Sequence, residues 1–381
     1  MNTWKKYFYE HFHYLSTAGK YSGIDTLRFL AIVSVILFHT SKPDTWFFVV
    51  RLGWLGVDLF FVISGFLIGS IIIGQLNQST FSFRLFYKNR CLRILPTYYF
   101  IILATVLAHK FLNESNDSLM WESIAYSMLF FQTTGPYFSL VTINNYFVPG
   151  GTWSLVVEEY FYILIPIFLY AVSFINKKMI PYVLVSLVIL AIPLNSFITS
   201  RFQEGDFNWF FANSIQFHSR YVGLCLGVFA AYLIRSKYKK NIDNNSFLLF
   251  LVFIMITTVI SSYFYVYPEF LKLPKTLTWQ TIFLPTFAGI GFFFLILSYY
   301  HVRSVKWIVV IARLSFPLYL VHIFFLNFSH LPSFNAWPVL SLVTLLICIP
   351  ISYFLSLAIE YPCIQLYKKS KLSKPVKKTM V

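Results

Sequence analysis

Long apolar runs recur along almost the whole chain, and they restrict its fold more than any other feature. A helix of about 20 apolar residues crosses a lipid bilayer. The hydropathy pattern predicts about ten such helices, which polar stretches separate. The predicted segments are 24–41, 54–75, 94–112, 152–175, 180–199, 213–235, 247–267, 277–299, 306–329 and 337–360.

The composition excludes a soluble enzyme. Of the 381 residues, 58% are hydrophobic and 12% are charged, whereas about a quarter of the residues in soluble domains are charged. The four cysteines form no CxxC pair, so we expect neither a disulfide framework nor a bound metal. The sequence therefore predicts an all-α polytopic membrane protein.

The net charge of +16 indicates an orientation in the membrane. Most Lys and Arg residues lie in alternate loops and near the chain ends, as they do in cytoplasmic loops. We predict that both termini are cytoplasmic, with an N-terminal segment 1–23, a membrane domain 24–367 and a basic tail 368–381 near lipid. Binding of nucleic acid is not expected, and His11 and His13 are expected to be ordinary residues of the soluble N-terminal segment.

One long loop, 113–151, contains acidic residues but no Lys or Arg. This composition predicts that it faces outward, and long structured loops are usually functional. Its apolar part, 119–131, is too short for a membrane span and is predicted to be an interfacial or re-entrant helix.

Ionisable residues inside predicted membrane helices mark candidate functional sites. Arg28 and His39 are 11 residues apart, so on a helix they share one face and lie about 16 Å apart. An arginine suits a phosphate, and a histidine suits general-base chemistry. The alternative is a snorkelling arginine and a histidine hydrogen-bonded within the bundle.

Three carboxylates extend this list. Asp58 is predicted near the outer end of the second helix, where it could orient His39, pair with an arginine or cap its helix. Glu158 and Glu159 are adjacent and point about 100° apart, so we expect only Glu158 to face a cavity. It could act there as a base, a proton relay or the partner of an arginine, and a structural pairing is the alternative.

Two further groups of polar residues are candidates. Arg90 and Arg93 precede the third helix on one helical face, where they suit a phosphorylated ligand or a lipid headgroup. Ser315, Tyr319 and His322 form a polar stripe, which is typical of a cavity wall or of packing between helices.

These motifs resemble, in order, those of the acyltransferase 3 family of integral-membrane acyltransferases, over Tyr21 to Tyr367. In the sequence, Asn89 interrupts a run that is usually more basic in the family, and Ile323 and Phe324 stand where a proline is common. Besides the Arg-x10-His spacing of Arg28 and His39, the matching segments are GWLGVDLFFVISGFLI (53–68), RCLRILPTYY (90–99), WSLVVEEYFY (153–162), SFPLYLVH (315–322) and IEYP (359–362).

The resemblance implies an enzyme of the bacterial inner membrane that transfers an acyl group, usually acetyl. The donor would be cytoplasmic acetyl-CoA, and the acceptor would be a hydroxyl of a cell-surface or lipid-linked carbohydrate. The chain is expected to lack the SGNH domain that some members carry. Its expected partners are acyl-CoA, the carbohydrate acceptor and membrane lipid.

The resemblance also implies roles for the candidate residues. Arg28, Arg90 and Arg93 would bind CoA phosphates, with Arg28 also counted as catalytic. His39 would be the general base or a transient acyl carrier, with Asp58 or Glu158 orienting it. The expected substrate-binding residues are Trp153, Ser315, Tyr319 and His322.

Two other classes of protein remain open from the sequence. A transporter or flippase for a glycan or small solute would use Arg28, His39 and Glu158 as a relay, although no internal repeat supports it. A non-catalytic partner in a polysaccharide-export complex would tolerate alanine at these positions.

Overall fold

The structure, a computed structural model, describes residues 3–41, 50, 52–111, 117–133, 152–199, 215–236, 245–266, 283–328 and 337–372. Within these ranges the regular structure is helical, and no strand occurs. The helices are α1 (Thr3–Ser16), α2 (Ser22–Thr40), α3 (Leu55–Asn77), α4 (Phe83–Phe111), α5 (Asp117–Met128), α6 (Trp153–Asn176), α7 (Ile180–Thr199), α8 (Phe217–Arg235), α9 (Ser246–Val266), α10 (Leu284–Tyr299), α11 (Lys306–Arg313), α12 (Ser315–Phe328), α13 (Trp337–Leu355) and α14 (Tyr361–Leu372). A 3-10 turn, Leu52–Trp54, precedes α3, and a π-helical segment, Ser356–Glu360, joins α13 to α14.

Every predicted membrane segment overlaps a described helix, or, for 306–329, the pair α11 and α12. By length and apolar composition, six helical runs of the described ranges could cross a membrane. One of them, Trp153–Ile198, contains both α6 and α7, and a seventh results if α11 and α12, bent by 62°, form one span. The chain is therefore an all-α polytopic membrane protein, while the count of ten and the cytoplasmic termini stay predictions.

Helix α3 lies at the centre of the helix bundle. Within Leu52–Asn77, 83% of the apolar stretch that is long enough to cross a membrane is buried in the protein. Helix α3 contacts α2, α6, α8 and α10. A helix that is apolar on all sides is stable only when other helices surround it or lipid covers it. Asp58, which is buried in α3, therefore faces a neighbouring helix rather than water.

Two glycines of the α3 region set how closely its neighbours approach. A Cβ atom at Gly65 would lie 2.0 Å from the backbone oxygen of Leu224 on α8, and one at Gly53 would lie 2.2 Å from that of Ser34 on α2. Only glycine allows backbones this close. The Gly53 contact holds α2, which carries Arg28 and His39, against the start of the central helix, and the Gly65 contact holds α8 against its middle.

The N-terminal segment corrects one expectation. Residues 3–16 form α1, and its His11 is fully buried rather than a residue of a soluble segment. The Nε2 atom of His11 lies 3.1 Å from Oγ of Ser356. This packing could not be predicted from the polar composition of the segment, because only one face of α1, which carries aromatic residues, turns inward.

The short apolar segment predicted at 119–131 is found as helix α5, of 12 residues. It lies against α4, where the Tyr98 hydroxyl donates to the backbone oxygen of Ser127 at 2.9 Å. Of the predicted outer loop, residues 113–116 and 134–151 lie outside the described ranges, as does the basic tail beyond residue 372.

Candidate active site

A cavity of about 570 Å³ opens between α2, α3, α4, α6, α8 and the α11–α12 pair. Its described wall is strongly basic, and the carboxylates in it are Asp25 and Glu158. Such a surplus of cations suits a ligand with several negative charges. The basic lining residues are Lys20, Arg28, Arg90, Arg93, Arg235 and Arg313.

Arg28 projects into this cavity from α2. The cations Arg93 and Arg313 act on it unfavourably, and the carboxylates Asp25 and Glu360 act on it favourably. Bringing three guanidinium groups together costs electrostatic energy in the absence of an anion. The arrangement is therefore prepared for an anionic ligand.

Glu158 lines the cavity from α6, whereas Glu159 does not. The Tyr162 hydroxyl donates to Oε2 of Glu158 at 2.7 Å and is also bonded to the hydroxyl of Ser64. The Arg90 guanidinium lies over the Tyr162 ring, 4.4 Å from its centroid. These contacts fix one carboxylate and one guanidinium side by side in the wall.

A polar contact between two helices lies in the cavity wall. The hydroxyls of Ser154 on α6 and Tyr319 on α12 lie 2.8 Å apart, and both residues are buried. Ser315 also lines the cavity. The contact is here called the Ser154–Tyr319 seal.

A pair of histidines lies behind the seal. The ring of His322 lies 5.5 Å from that of Tyr319, and its Nε2 is 3.4 Å from Nδ1 of His39. His322 is fully buried, whereas His39 is exposed. Neither belongs to the cavity wall, so Tyr319 lies between the cavity and His322.

The hydrogen bonds of the two rings fit one assignment of their protons. Nδ1 of His322 donates to the backbone oxygen of Leu318 at 3.1 Å, which leaves a lone pair on its Nε2. Nδ1 of His39 then donates to the backbone oxygen of Val35, 3.0 Å away, with His322 Nε2 as a second, longer acceptor. The Nε2 atom of His39 has no hydrogen-bond partner in the described ranges, and its lone pair is available as a base.

Asp58 pairs with Arg220 and not with His39, which it would have to contact in order to orient that histidine. Arg220 on α8 donates to both of its carboxylate oxygens, at 2.9 and 3.1 Å, and the pair is buried. The guanidinium also lies 5.8 Å from the ring of Trp54 and 5.5 Å from that of Trp153. This cluster joins α3, α6 and α8 next to Ser154, and the neighbour of His39 is His322 instead.

The candidates from the sequence thus fall into three places. Asp58 and Trp153 lie in the cluster around Arg220, and His39 and His322 form the histidine pair beyond the seal. The candidates in the cavity wall are Arg28, Arg90, Arg93, Glu158, Ser315 and Tyr319.

Two arginines of the wall, Arg235 and Arg313, were not among the site residues predicted from the sequence. Arg235 donates to the backbone oxygen of Ser70 at 2.8 Å, and Arg313 donates to that of Thr17 at 3.3 Å. Both lie at helix ends, where a basic residue also serves orientation in the membrane. Their position beside the predicted cytoplasmic loops, near Arg90 and Arg93, could have identified them as candidate ligand-binding residues.

Comparison with known proteins gives relatives for most of the chain. Over 170 residues, 41% of the chain, it is 34% identical to YrhL of Bacillus subtilis, provisionally named a peptidoglycan O-acetyltransferase. It is 27% identical over 333 residues, 81% of the chain, to a Staphylococcus aureus protein provisionally named an O-acetyltransferase. Over 156 residues, 39% of the chain, it is 33% identical to the peptidoglycan O-acetyltransferase OatA of Listeria monocytogenes.

These alignments cover 25%, 51% and 24% of the respective relatives, so the chain spans at most about half of their length. No solved structure matches the chain. The family model described as an acyltransferase domain matches residues 21–361, a range that contains the seal, the histidine pair and the cavity wall except Gly19 and Lys20. The chain therefore belongs to the acyltransferase 3 family.

Proposed function

We propose that the chain is a membrane O-acyltransferase of the bacterial cytoplasmic membrane. It moves an acyl group, acetyl in the simplest case, from cytoplasmic acyl-CoA to a hydroxyl of a cell-surface or lipid-linked carbohydrate. The observation that carries the proposal is the histidine pair, which lies directly behind the seal in the wall of the basic cavity. The family and the names of the relatives support the reaction type.

The basic cavity is the proposed donor site. The phosphates of acyl-CoA would contact Arg28, Arg90 and Arg93, with Arg235 and Arg313 as further cations of the wall. Guanidinium groups form paired, charge-assisted hydrogen bonds with phosphate. The thin pantetheine arm would then carry the thioester to the Ser154–Tyr319 seal.

His39 is the proposed general base. Its Nε2 removes the proton of the acceptor hydroxyl, whose oxygen attacks the thioester carbonyl carbon. The carbon–sulfur bond breaks, and the imidazolium returns the proton to the leaving thiolate. In a second route, Nε2 of His39 first takes the acyl group from the thioester sulfur and then passes it to the hydroxyl oxygen. The bonds formed and broken overall are the same as in the first route.

The acceptor site would lie on the side of the seal where His39 is exposed. The names of two relatives make peptidoglycan the first carbohydrate to test. In either route the thioester must pass Tyr319, which contacts both Ser154 and His322. We therefore propose that the Tyr319 side chain moves during the reaction.

Mass spectrometry of the products tests the proposal. The purified protein is incubated with acetyl-CoA and soluble peptidoglycan fragments, and the fragments should gain the mass of one acetyl group. His39→Ala should abolish the gain while folding normally, and His301→Ala, at an exposed histidine, should leave it intact. Transport of a glycan without any acetyl transfer would favour a flippase and contradict the proposal.

A further inference from the structure

Three arginines of the cavity wall share a buried counter-charge that lies behind them. The carboxylate of Glu360 acts electrostatically on Arg93, Arg28 and Arg313. All three arginines line the cavity, whereas Glu360 does not, and it is only 3% exposed. Because the three cations repel one another, the position of this carboxylate influences where each of them rests.

Glu360 is the last residue of the π-helical segment Ser356–Glu360. Such segments are rare and frequently occur at functional sites. Ser356, the first residue of this segment, interacts with the Glu360 carboxylate four residues later, and its Oγ lies 3.1 Å from Nε2 of His11. When Glu360 is ionised it can only accept, so Ser356 then donates to Glu360 and accepts from Nε2 of His11. The three side chains thus connect α1 to Glu360 in the order His11, Ser356, Glu360.

Helix α1 fixes the π-helical segment at a second point. The Tyr7 hydroxyl donates to the backbone oxygen of Leu357 at 3.0 Å. The His11 ring packs edge-on against Tyr353 and Tyr361, with centroids 5.0 and 5.1 Å away. The burial of His11 lowers its pKa to about 4, which keeps the ring neutral near pH 7. A neutral ring has one proton, which this bonding scheme places on Nε2.

The same helix also lies close to the cavity wall. Tyr14, three residues beyond His11, lies near Arg93. Helix α1 also contacts α11, which ends at Arg313. The N-terminal helix is thus connected to two of the three arginines, although it contributes no residue to the cavity wall.

We propose that Glu360 is a positioning residue for the acyl donor and that helix α1 holds it in place through His11 and Ser356. The inference rests on the proposed function, since it takes acyl-CoA to be the anion of the basic cavity. Without this relay the carboxylate can turn away and the three guanidiniums separate. The affinity for acyl-CoA then falls, while the chemical step at the histidine pair is unchanged.

Comparison of two histidines on one helix tests the relay. His11→Ala removes the buried donor, and His13→Ala is the matched control because His13 is exposed on the same helix. We expect His11→Ala to weaken acetyl-CoA binding about fivefold or more, a typical coupling between sites, with little change in kcat. Stabilisation of the purified full chain by acetyl-CoA against heating measures the affinity. Equal affinities of the two variants would overturn the proposal.

A double variant separates a relay from independent damage. Glu360→Gln keeps the shape of the side chain and removes the charge, so it should weaken binding at least as much as His11→Ala. Because both changes act through one path, adding His11→Ala to Glu360→Gln should weaken binding no further. Effects that multiply would overturn the relay. Tyr7→Phe, which removes only the hydroxyl bonded to Leu357, is the milder variant if His11→Ala fails to fold.

Hydrogen exchange without ligand distinguishes this inference from the proposed function. His11→Ala should speed amide exchange at residues 356–360, and His13→Ala should not. If the wild-type protein binds no acetyl-CoA, the proposed function fails, and the exchange result still decides whether α1 holds Glu360. Unchanged exchange at 356–360 in folded His11→Ala would overturn the relay.

Discussion

The two histidines behind the seal depend on each other at the level of single atoms. His322 uses Nδ1 for the Leu318 carbonyl, so its Nε2 can accept only. It faces Nδ1 of His39, which favours a proton there and leaves the outer nitrogen of His39 as the base. The sequence predicted both residues, but it could not predict their contact, because 283 positions separate them.

Replacement of each histidine should have a different effect. His39→Ala removes the proposed base and should lower kcat by about 10²- to 10⁴-fold, the usual range for a positioned base. His322→Ala should lower it less, because the base remains but its ring is held only by Val35. His322→Gln retains an acceptor and should recover part of the loss. Rates of acetyl transfer measure this order, and wild-type kcat in His322→Ala would contradict the role of the pair.

The buried ion pair between Asp58 and Arg220 makes a second prediction about single residues. Arg220→Met leaves the Asp58 carboxylate buried without a cation and should destabilise the protein by about 3–5 kcal/mol. Adding Asp58→Leu should restore much of this stability, since no charge is then left alone. Thermal unfolding in detergent tests both variants. A double variant no more stable than Arg220→Met would show that charge is not the cause.

Among the helices, the centre of the bundle was better predicted than the edge that α1 forms. The glycines of the second predicted helix indicated close packing, and Gly65 does meet the backbone of α8. Helix α1 was missed because its apolar residues are aromatic and its mean polarity resembles that of a soluble segment. The spacing of Tyr7, His11 and Tyr14 on one helical face was the available signal.

A single methyl group tests the contact between α3 and α8. In Gly65→Ala the new Cβ would lie 2.0 Å from a backbone oxygen, so the helices must separate, at a cost of about 1–3 kcal/mol or more. Gly289→Ala is the control, because its Cβ would meet a leucine methyl at 3.2 Å, which can move. The melting temperature should fall much further in Gly65→Ala, and equal melting temperatures would contradict the packing.

The docking of helix α1 should depend on pH. The pKa of His11 is about 4 in the folded protein, because of burial, and 6.5 for an exposed histidine. At pH 7 both forms are neutral, so docking is intact. Between about pH 6.5 and 4 the released helix binds more protons, and docking weakens as the pH falls.

Hydrogen exchange of residues 3–16 across this pH range measures the release. The groups around His11 are the hydroxyl of Ser356 and the rings of Tyr14, Tyr353 and Tyr361. After correction for the intrinsic effect of pH, exchange should increase toward pH 4 in the wild type. His11→Gln, which does not titrate, should show no such increase, and the same increase in both proteins would contradict the role of His11.

At the scale of the whole molecule, the sequence predicted the helices and the two kinds of site, but not how they connect. The apolar runs determine where membrane helices form, and the rarity of charges inside them identified Arg28, His39 and Glu158. The seal between cavity and histidines depends on contact between α6 and α12, which lie far apart in the chain. No local pattern encodes such a contact, so His322 was predicted in the cavity wall rather than behind Tyr319.

The most direct test of the account is transfer across a membrane. The protein is inserted into liposomes with one orientation, acetyl-labelled acetyl-CoA is supplied on the side of the chain termini, and peptidoglycan fragments are supplied on the other side only. We expect labelled fragments with the wild type and none with His39→Ala. Transfer that occurs only when donor and acceptor are on the same side would contradict a donor cavity and an acceptor site separated by the Ser154–Tyr319 seal.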